Sequence, residues 1–209
     1  VVSIEANSET GEGKVPYVLP PGIQRDQDIS AAANQVRQNE QSIQLCVDDF
    51  EDGEAVAAFK NVNFDLVNYG RLKMFLHAQS PNATDDEVVA FVRLGTDFDD
   101  NYYEIELPLK ITPYQSIDPA VIWPEQNEIN LAFDQLYQLK SRRNRSLGIN
   151  NVLLPYSEEF GKYTLTVRGR PDMSSLQTIM IGLRNPRGGG SAPKDICIWA
   201  NEMRVTDFD

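Results

Sequence analysis

Four carboxylates in five positions, Asp48-Asp49-Phe50-Glu51-Asp52, form the densest group of hard oxygen ligands in the sequence. Calcium takes roughly six to eight such oxygens, several of them from carboxylates, which makes Asp49 and Glu51 candidate ligands. The run lacks the spacing of an EF-hand loop, and a solvated acidic turn is its plainer reading. A second acidic turn, Asp97-Phe98-Asp99-Asp100-Asn101, has the same two readings, with nothing elsewhere in the sequence obviously paired to it. His77 is the sole histidine and sits out of phase with Leu76 and Ala78. No Gly-x-Ser-x-Gly elbow and no metal-binding histidine pair accompanies it, and a Cys46/His77 nucleophilic pair is the only such combination to weigh. Thirty-one acidic residues always offer some carboxylate pair, so glycoside hydrolysis needs a measured separation of ~5 Å or ~6.5–9.5 Å before it is argued. The chemistry in the sequence therefore points away from an enzyme.

The two cysteines, Cys46 and Cys197, are far apart and have none of the close spacing of a zinc site. Whether they form a disulfide or remain two buried thiols depends on the fold. Tyr102, Tyr114, Trp123, Tyr137 and Tyr156 could line a sugar-stacking surface. Trp123, between Ile122 and Pro124, and Trp199, inside an apolar strand, read instead as core or sheet cover. Asn82-Ala83-Thr84 and Asn144-Arg145-Ser146 match the N-glycosylation acceptor without further support, and Gly188-Gly189-Gly190 reads as a flexible loop without a phosphate-binding lysine.

The elements that must hold these residues are mostly strands. Residues 1–41 are rich in Gly, Pro, Ser, Asn, Gln and Glu, and Val15-Pro16-Tyr17-Val18-Leu19-Pro20-Pro21-Gly22 is stiffened by its prolines, so this segment reads as an extended arm lying on the domain that follows. A short helix from Ser30 to Gln38 would have almost no apolar stripe to bury. From Gln41 the period becomes two. Strands are expected over 42–50, 72–78, 88–94, 103–111, 129–133, 163–167, 177–184 and 195–205. In the fourth of these, Tyr103, Ile105, Leu107 and Leu109 supply a dry face, and Tyr102, Glu104, Glu106 and Pro108 a wet one. One helix, capped by Asp134, carries Leu136, Tyr137 and Leu139 as its apolar stripe and Lys140, Arg142, Arg143 and Arg145 toward its carboxyl end. About nine short strands with one or two short helices, over residues 42–209, imply an antiparallel β-sandwich of jelly-roll type.

Composition narrows the function classes. The 209 residues are 41% hydrophobic, enough for one good core, and carry a net charge of −12. Nucleic acid and anionic lipid are held by basic surfaces, so neither is expected as a partner. No stretch approaches the ~18 uncharged apolar residues of a membrane helix, and no amino-terminal segment reads as a signal peptide. The start at Val1 and the end on Asp207-Phe208-Asp209 suggest an excerpt of something longer.

Several segments resemble a known family. Pro16-Tyr17-Val18-Leu19-Pro20-Pro21-Gly22-Ile23, Arg37-Gln38-Asn39-Glu40-Gln41-Ser42, Tyr69-Gly70-Arg71-Leu72-Lys73-Met74, Phe91-Val92-Arg93-Leu94-Gly95-Thr96-Asp97-Phe98, Asn101-Tyr102-Tyr103-Glu104 and Trp199-Ala200-Asn201-Glu202-Met203-Arg204-Val205 are similar to the SprA (Sov) family. Those proteins are giant outer-membrane translocons of the type IX secretion system, required for secretion and gliding motility. The resemblance implies a non-enzymatic, soluble portion of a cell-surface parent, on the periplasmic or the extracellular side, whose partners are other type IX subunits and secreted cargo. A broader resemblance concerns fold: Asp48–Gly53 and the closing strand ending Arg204-Val205-Thr206-Asp207 look like the first and last strands of galactose-binding jelly rolls, the basis of an alternative reading as a carbohydrate-binding module. In those modules the terminal strands pair. Pairing here would set Cys46 beside Cys197 for a disulfide and deliver Asp207 to Asp49 and Glu51 as a structural calcium corner, the one cofactor the resemblance suggests.

Overall fold

The computed structural model describes residues 1–8, 17–21, 23, 41–188 and 192–208. The expected helix over 30–38 and most of the glycine-rich loop at 189–191 lie outside them. The elements in chain order are β1 (Val2–Ser8), β2 (Gln41–Phe50), β3 (Ala55–Phe64), β4 (Tyr69–Gln79), β5 (Val89–Gly95), β6 (Tyr102–Pro108), α1 (Pro119–Ile122), β7 (Ile129–Ala132), α2 (Phe133–Leu147), β8 (Tyr156–Phe160), β9 (Tyr163–Arg168), β10 (Leu176–Arg184) and β11 (Lys194–Phe208).

Two antiparallel sheets stack into a β-sandwich. The first has the order β1-β2-β11-β4-β7 and the second β3-β10-β5-β6-β9-β8. Successive strands cross repeatedly between the sheets, and β2 ends up hydrogen-bonded to β11. Alternation along each strand fills the space between. Leu45 and Val47 of β2, Leu72, Met74 and Leu76 of β4, and Ile196 and Ile198 of β11 face Ala90, Val92, Leu94, Ile105, Leu107, Leu165, Val167 and Leu183 of the second sheet in one buried cluster.

Three features differ from the sequence expectation. Residues 2–8 of the expected arm form β1, with Val2 opposite Val47 and Ile4 opposite Leu45. The wet face of β6 is covered: Glu104 is buried because Arg93 on β5 and Arg184 on β10 both pair with it, and the Arg93 guanidinium lies 3.8 Å from the Tyr102 ring. A carboxylate shared by two guanidiniums keeps both its oxygens satisfied where water is excluded. Finally, Asp134 does not cap α2. The N-cap is Ala132, and Asp134, one residue inside the first turn, accepts a hydrogen bond from Gln138.

Helix α2 sits where the sandwich would otherwise gape. Phe133, Leu136 and Leu139 enter the main core, and the helix packs on β4 and β7 of one sheet and on β8 and β9 of the other. That seals one side.

Cys46 and Cys197 are direct partners in the β2–β11 register and are joined by a disulfide, with their Cα atoms 4.0 Å apart. The cross-link ties positions 151 residues apart, so in the chain-entropy account it removes much of the unfolded chain's freedom. Reduction, or the double substitution Cys46→Ser/Cys197→Ser, is expected to lower unfolding free energy by roughly 4 to 5 kcal/mol. Denaturant titration with and without reductant checks this, and coincident midpoints would contradict it.

Candidate functional site

The outer face of the first sheet is dry at its centre. Phe75 and His77 of β4 and Trp199 of β11 point away from the main core, since their neighbours Leu76, Ala78 and Ile198 point into it. Over them lie Ile122 and Trp123 at the end of α1 and, from the other direction, Tyr17, Val18 and Leu19. The Trp123 indole N–H donates to the Val18 carbonyl at 2.7 Å, the Trp199 indole to Gln44 at 3.0 Å, and the Asn201 amide to the Tyr17 hydroxyl. Tyr17, Trp123 and Trp199 meet edge-on or tilted, at centroid separations of 5.8–6.1 Å. This second core fastens residues 17–20 to the sheet.

His77 lies inside that cluster, 4.1 Å from the Trp199 ring between centroids. Its Nδ1 is 2.9 Å from the Ile122 carbonyl, which can only accept, so Nδ1 carries the proton and donates. Burial pulls the imidazole pKa down from 6.5 to about 4, against that hydrogen bond, which favours the charged form. A neutral, buried imidazole holding a backbone carbonyl is a structural group, and Cys46, its conceivable nucleophilic partner, is consumed in the disulfide.

The other predicted positions are dispersed. Asp49 and Glu51 stand at the end of β2 beside the start of β11, where the Asp49 N–H donates to Asp195 at 2.9 Å. Asp207 is at the opposite end of β11 and pairs with Arg71 at 3.2 Å. The expected calcium corner of Asp49, Glu51 and Asp207 is therefore corrected: antiparallel pairing of β2 with β11 carries Asp207 away from Asp195 by twelve positions of strand, roughly 30 to 40 Å. Among the described residues no three His, Cys, Asp or Glu side chains gather as a metal site. In the second acidic turn Asp97 is occupied by its own loop, accepting from the backbone N–H groups of Asp99, Asp100 and Asn101 at 2.6–3.0 Å and from the Asn101 amide at 2.6 Å. Slight burial raises its pKa, but those donors outweigh it and hold the carboxyl below its ordinary value. The five aromatics considered for sugar stacking form no shared platform. Trp123 is in the second core, Tyr102 lies under Arg93, Tyr156 donates to Glu158, Tyr137 sits on α2, and Tyr114 is 69% exposed alone.

What the structure does assemble is an apolar cleft of about 810 Å³ on the side of the sandwich opposite α2. Its floor is main core, Met74, Ile181 and Ala200, and its walls are Ile4 and Ile43 from the first sheet and Val62 and Phe64 from β3. Glu5, Lys60 and Glu202 stand at its rim. The β11 bulge at Asn201–Arg204, where Glu202 adopts a φ of 52°, ends the β2–β11 ladder beside it. The sequence reading missed these residues. The available signal was the apolar run Ala55-Val56-Ala57-Ala58-Phe59, which fits neither a one-faced strand nor a helix. An apolar cleft of this size, rimmed by few charges, is suited to taking up an apolar group or segment.

Among the described residues, fold and site together define a β-sandwich with an apolar cleft between its β1 and β3 edges. The chain belongs to the SprA family: the family model described as motility related/secretion protein matches residues 1–209. It is thus a motility- and secretion-related protein. No curated protein matches it significantly. No helix among the described residues is long and apolar enough to cross a membrane.

The buried histidine gives a pH dependence of definite sign. The unfolded chain binds the His77 proton near pH 6.5 and the folded chain only near 4, so stability is complete above 6.5 and is lost as pH falls through that window, by up to roughly 3 kcal/mol. Denaturant unfolding between pH 7.5 and 4.5 should show this slope in the native chain and lack it in His77→Gln. Parallel profiles would contradict the assignment.

Proposed function

We propose that this chain is a non-enzymatic structural and interaction module of a type IX secretion translocon in the outer membrane, serving protein secretion and gliding motility. The family match over residues 1–209 carries the reading. The cleft supports it by offering partner subunits or passing cargo an apolar surface, as a module without chemistry of its own would need. Further support comes from how the reactive side chains are used: His77 and Trp199 hold the second core, Cys46 and Cys197 cross-link the sheet, and Glu104 pairs with two arginines. The net charge of −12 suits an envelope protein whose partners are proteins rather than nucleic acid or anionic lipid.

In this reading the module belongs to a larger cell-surface parent and works by being present and correctly shaped. Deleting residues 42–208 in frame from the parent should abolish both secretion of cargo into the medium and colony spreading while the parent still reaches the outer membrane. Wild-type secretion from such a strain would contradict the proposal.

A further inference from the structure

The cleft is flanked by an unusual sheet edge. Among the described residues four strands end the two sheets: β1, β7, β3 and β8. Three are blunted in ordinary ways, since β7 is four residues long, β8 carries Glu158 and Glu159, and β1 is seven residues long and places Glu5 at the cleft. β3 is not. It runs ten residues, Ala55-Val56-Ala57-Ala58-Phe59-Lys60-Asn61-Val62-Asn63-Phe64, with one charge, and among the described residues it pairs on one side only, with β10. Phe59 and Phe64 are 63% and 49% exposed. A long, nearly uncharged edge presents a row of backbone N–H and C=O groups that an extended chain can satisfy in place of water.

Side-chain geometry agrees. Val56, Ala58 and Lys60 share the face of β3 that looks toward the other sheet, since they lie opposite Leu183, Ile181 and Ile179; at the bulge that follows, Val62 packs on the same core and Phe64 lies opposite the buried Leu176. A strand added beyond β3 would continue that face over the cleft and close the open side, as α2 closes the other. Its alternate residues must be apolar to cover Val62 and Phe64. Its flanks should be basic, because the chain carries −12 and Glu5 stands on the far rim. The same net charge disfavours a second copy of this chain.

We infer that the β3 edge is a strand-addition site for an extended partner segment with alternating apolar side chains and basic flanks, inserted alongside the cleft. The inference rests on the interaction-module reading above and specifies how the partner is held.

Two arms test it. In the first, the 209-residue chain is examined by hydrogen exchange with a ten-residue peptide alternating valine and threonine between terminal lysines, and with the same peptide N-methylated on the edge of the strand that would face β3. Expected is slowed exchange centred on residues 55–64 with the first peptide, and binding weaker by roughly tenfold or more with the methylated one. Equal binding of both peptides, or no slowing at 55–64, overturns the inference. Slowing at 55–64 that grows with protein concentration alone assigns the edge to a second copy and also overturns it.

In the second arm the parent carries Asn61→Lys with Phe64→Lys, both exposed, with folding checked by retention of the Cys46–Cys197 disulfide. Secretion should fall severalfold. If the in-frame deletion blocks secretion while this double variant secretes normally, strand addition fails and the module reading stands. If the deletion itself is harmless, the module reading is the one that fails.

Discussion

Strands β2 and β11 pair Cys46 with Cys197, 151 positions apart in sequence, and their ladder is the constraint from which the remaining architecture follows. Because β11 enters the first sheet between β2 and β4, it supplies the inward residues Ile196, Ile198 and Ala200 at the centre of the core. Its outward residues then fall on the opposite face: Cys197 against Cys46, and Trp199 beside His77. A slip of one residue in this register would exchange the two sets and leave both cores without their members. The disulfide fixes that register covalently, while the aromatic cluster fastens residues 17–20 and the end of α1 over the same strand.

The sandwich is asymmetric at its two open sides, and the asymmetry places its functional surface. On the β7 side, α2 inserts Phe133, Leu136 and Leu139 between the sheets. On the β1 and β3 side the described residues leave Met74, Ile181 and Ala200 as the floor of an apolar cleft. The second sheet is cross-linked on its outer face by the Arg93–Glu104–Arg184 arrangement. There Gly182 leaves room for the Phe91 ring, which a Cβ would approach to 2.3 Å.

Much of this was legible in the sequence, and the strands that were not share a physical cause. Strands with one buried face, such as β4 with Leu72, Met74, Leu76 and Ala78, announce themselves by period two. The overlooked strands β1, β3 and β8 are all sheet edges, half solvated on both faces, where alternation has little burial to enforce it. Even so, Val2, Ile4 and Ala6 alternate with Ser3, Glu5 and Asn7, a pattern masked by the Gly- and Pro-rich composition around it. The buried side of Glu104 was not legible, because its partners come from two other strands. Asp207 failed as a ligand for a topological reason. The antiparallel pairing that aligns the cysteines necessarily separates the end of β11 from the end of β2. The cleft escaped because a docking surface has no residue signature comparable to a catalytic motif.

If the β2–β11 ladder sets the architecture, it is the most stable part of the molecule and the β3 edge is among its least protected. Native-state hydrogen exchange resolved by residue measures this directly. The account predicts that amides of Leu45–Val47 and Ile196–Ala200 open only with global unfolding, while those along the outer edge of β3 exchange through local opening. Exchange of the β2–β11 amides as early as the edge amides would contradict it.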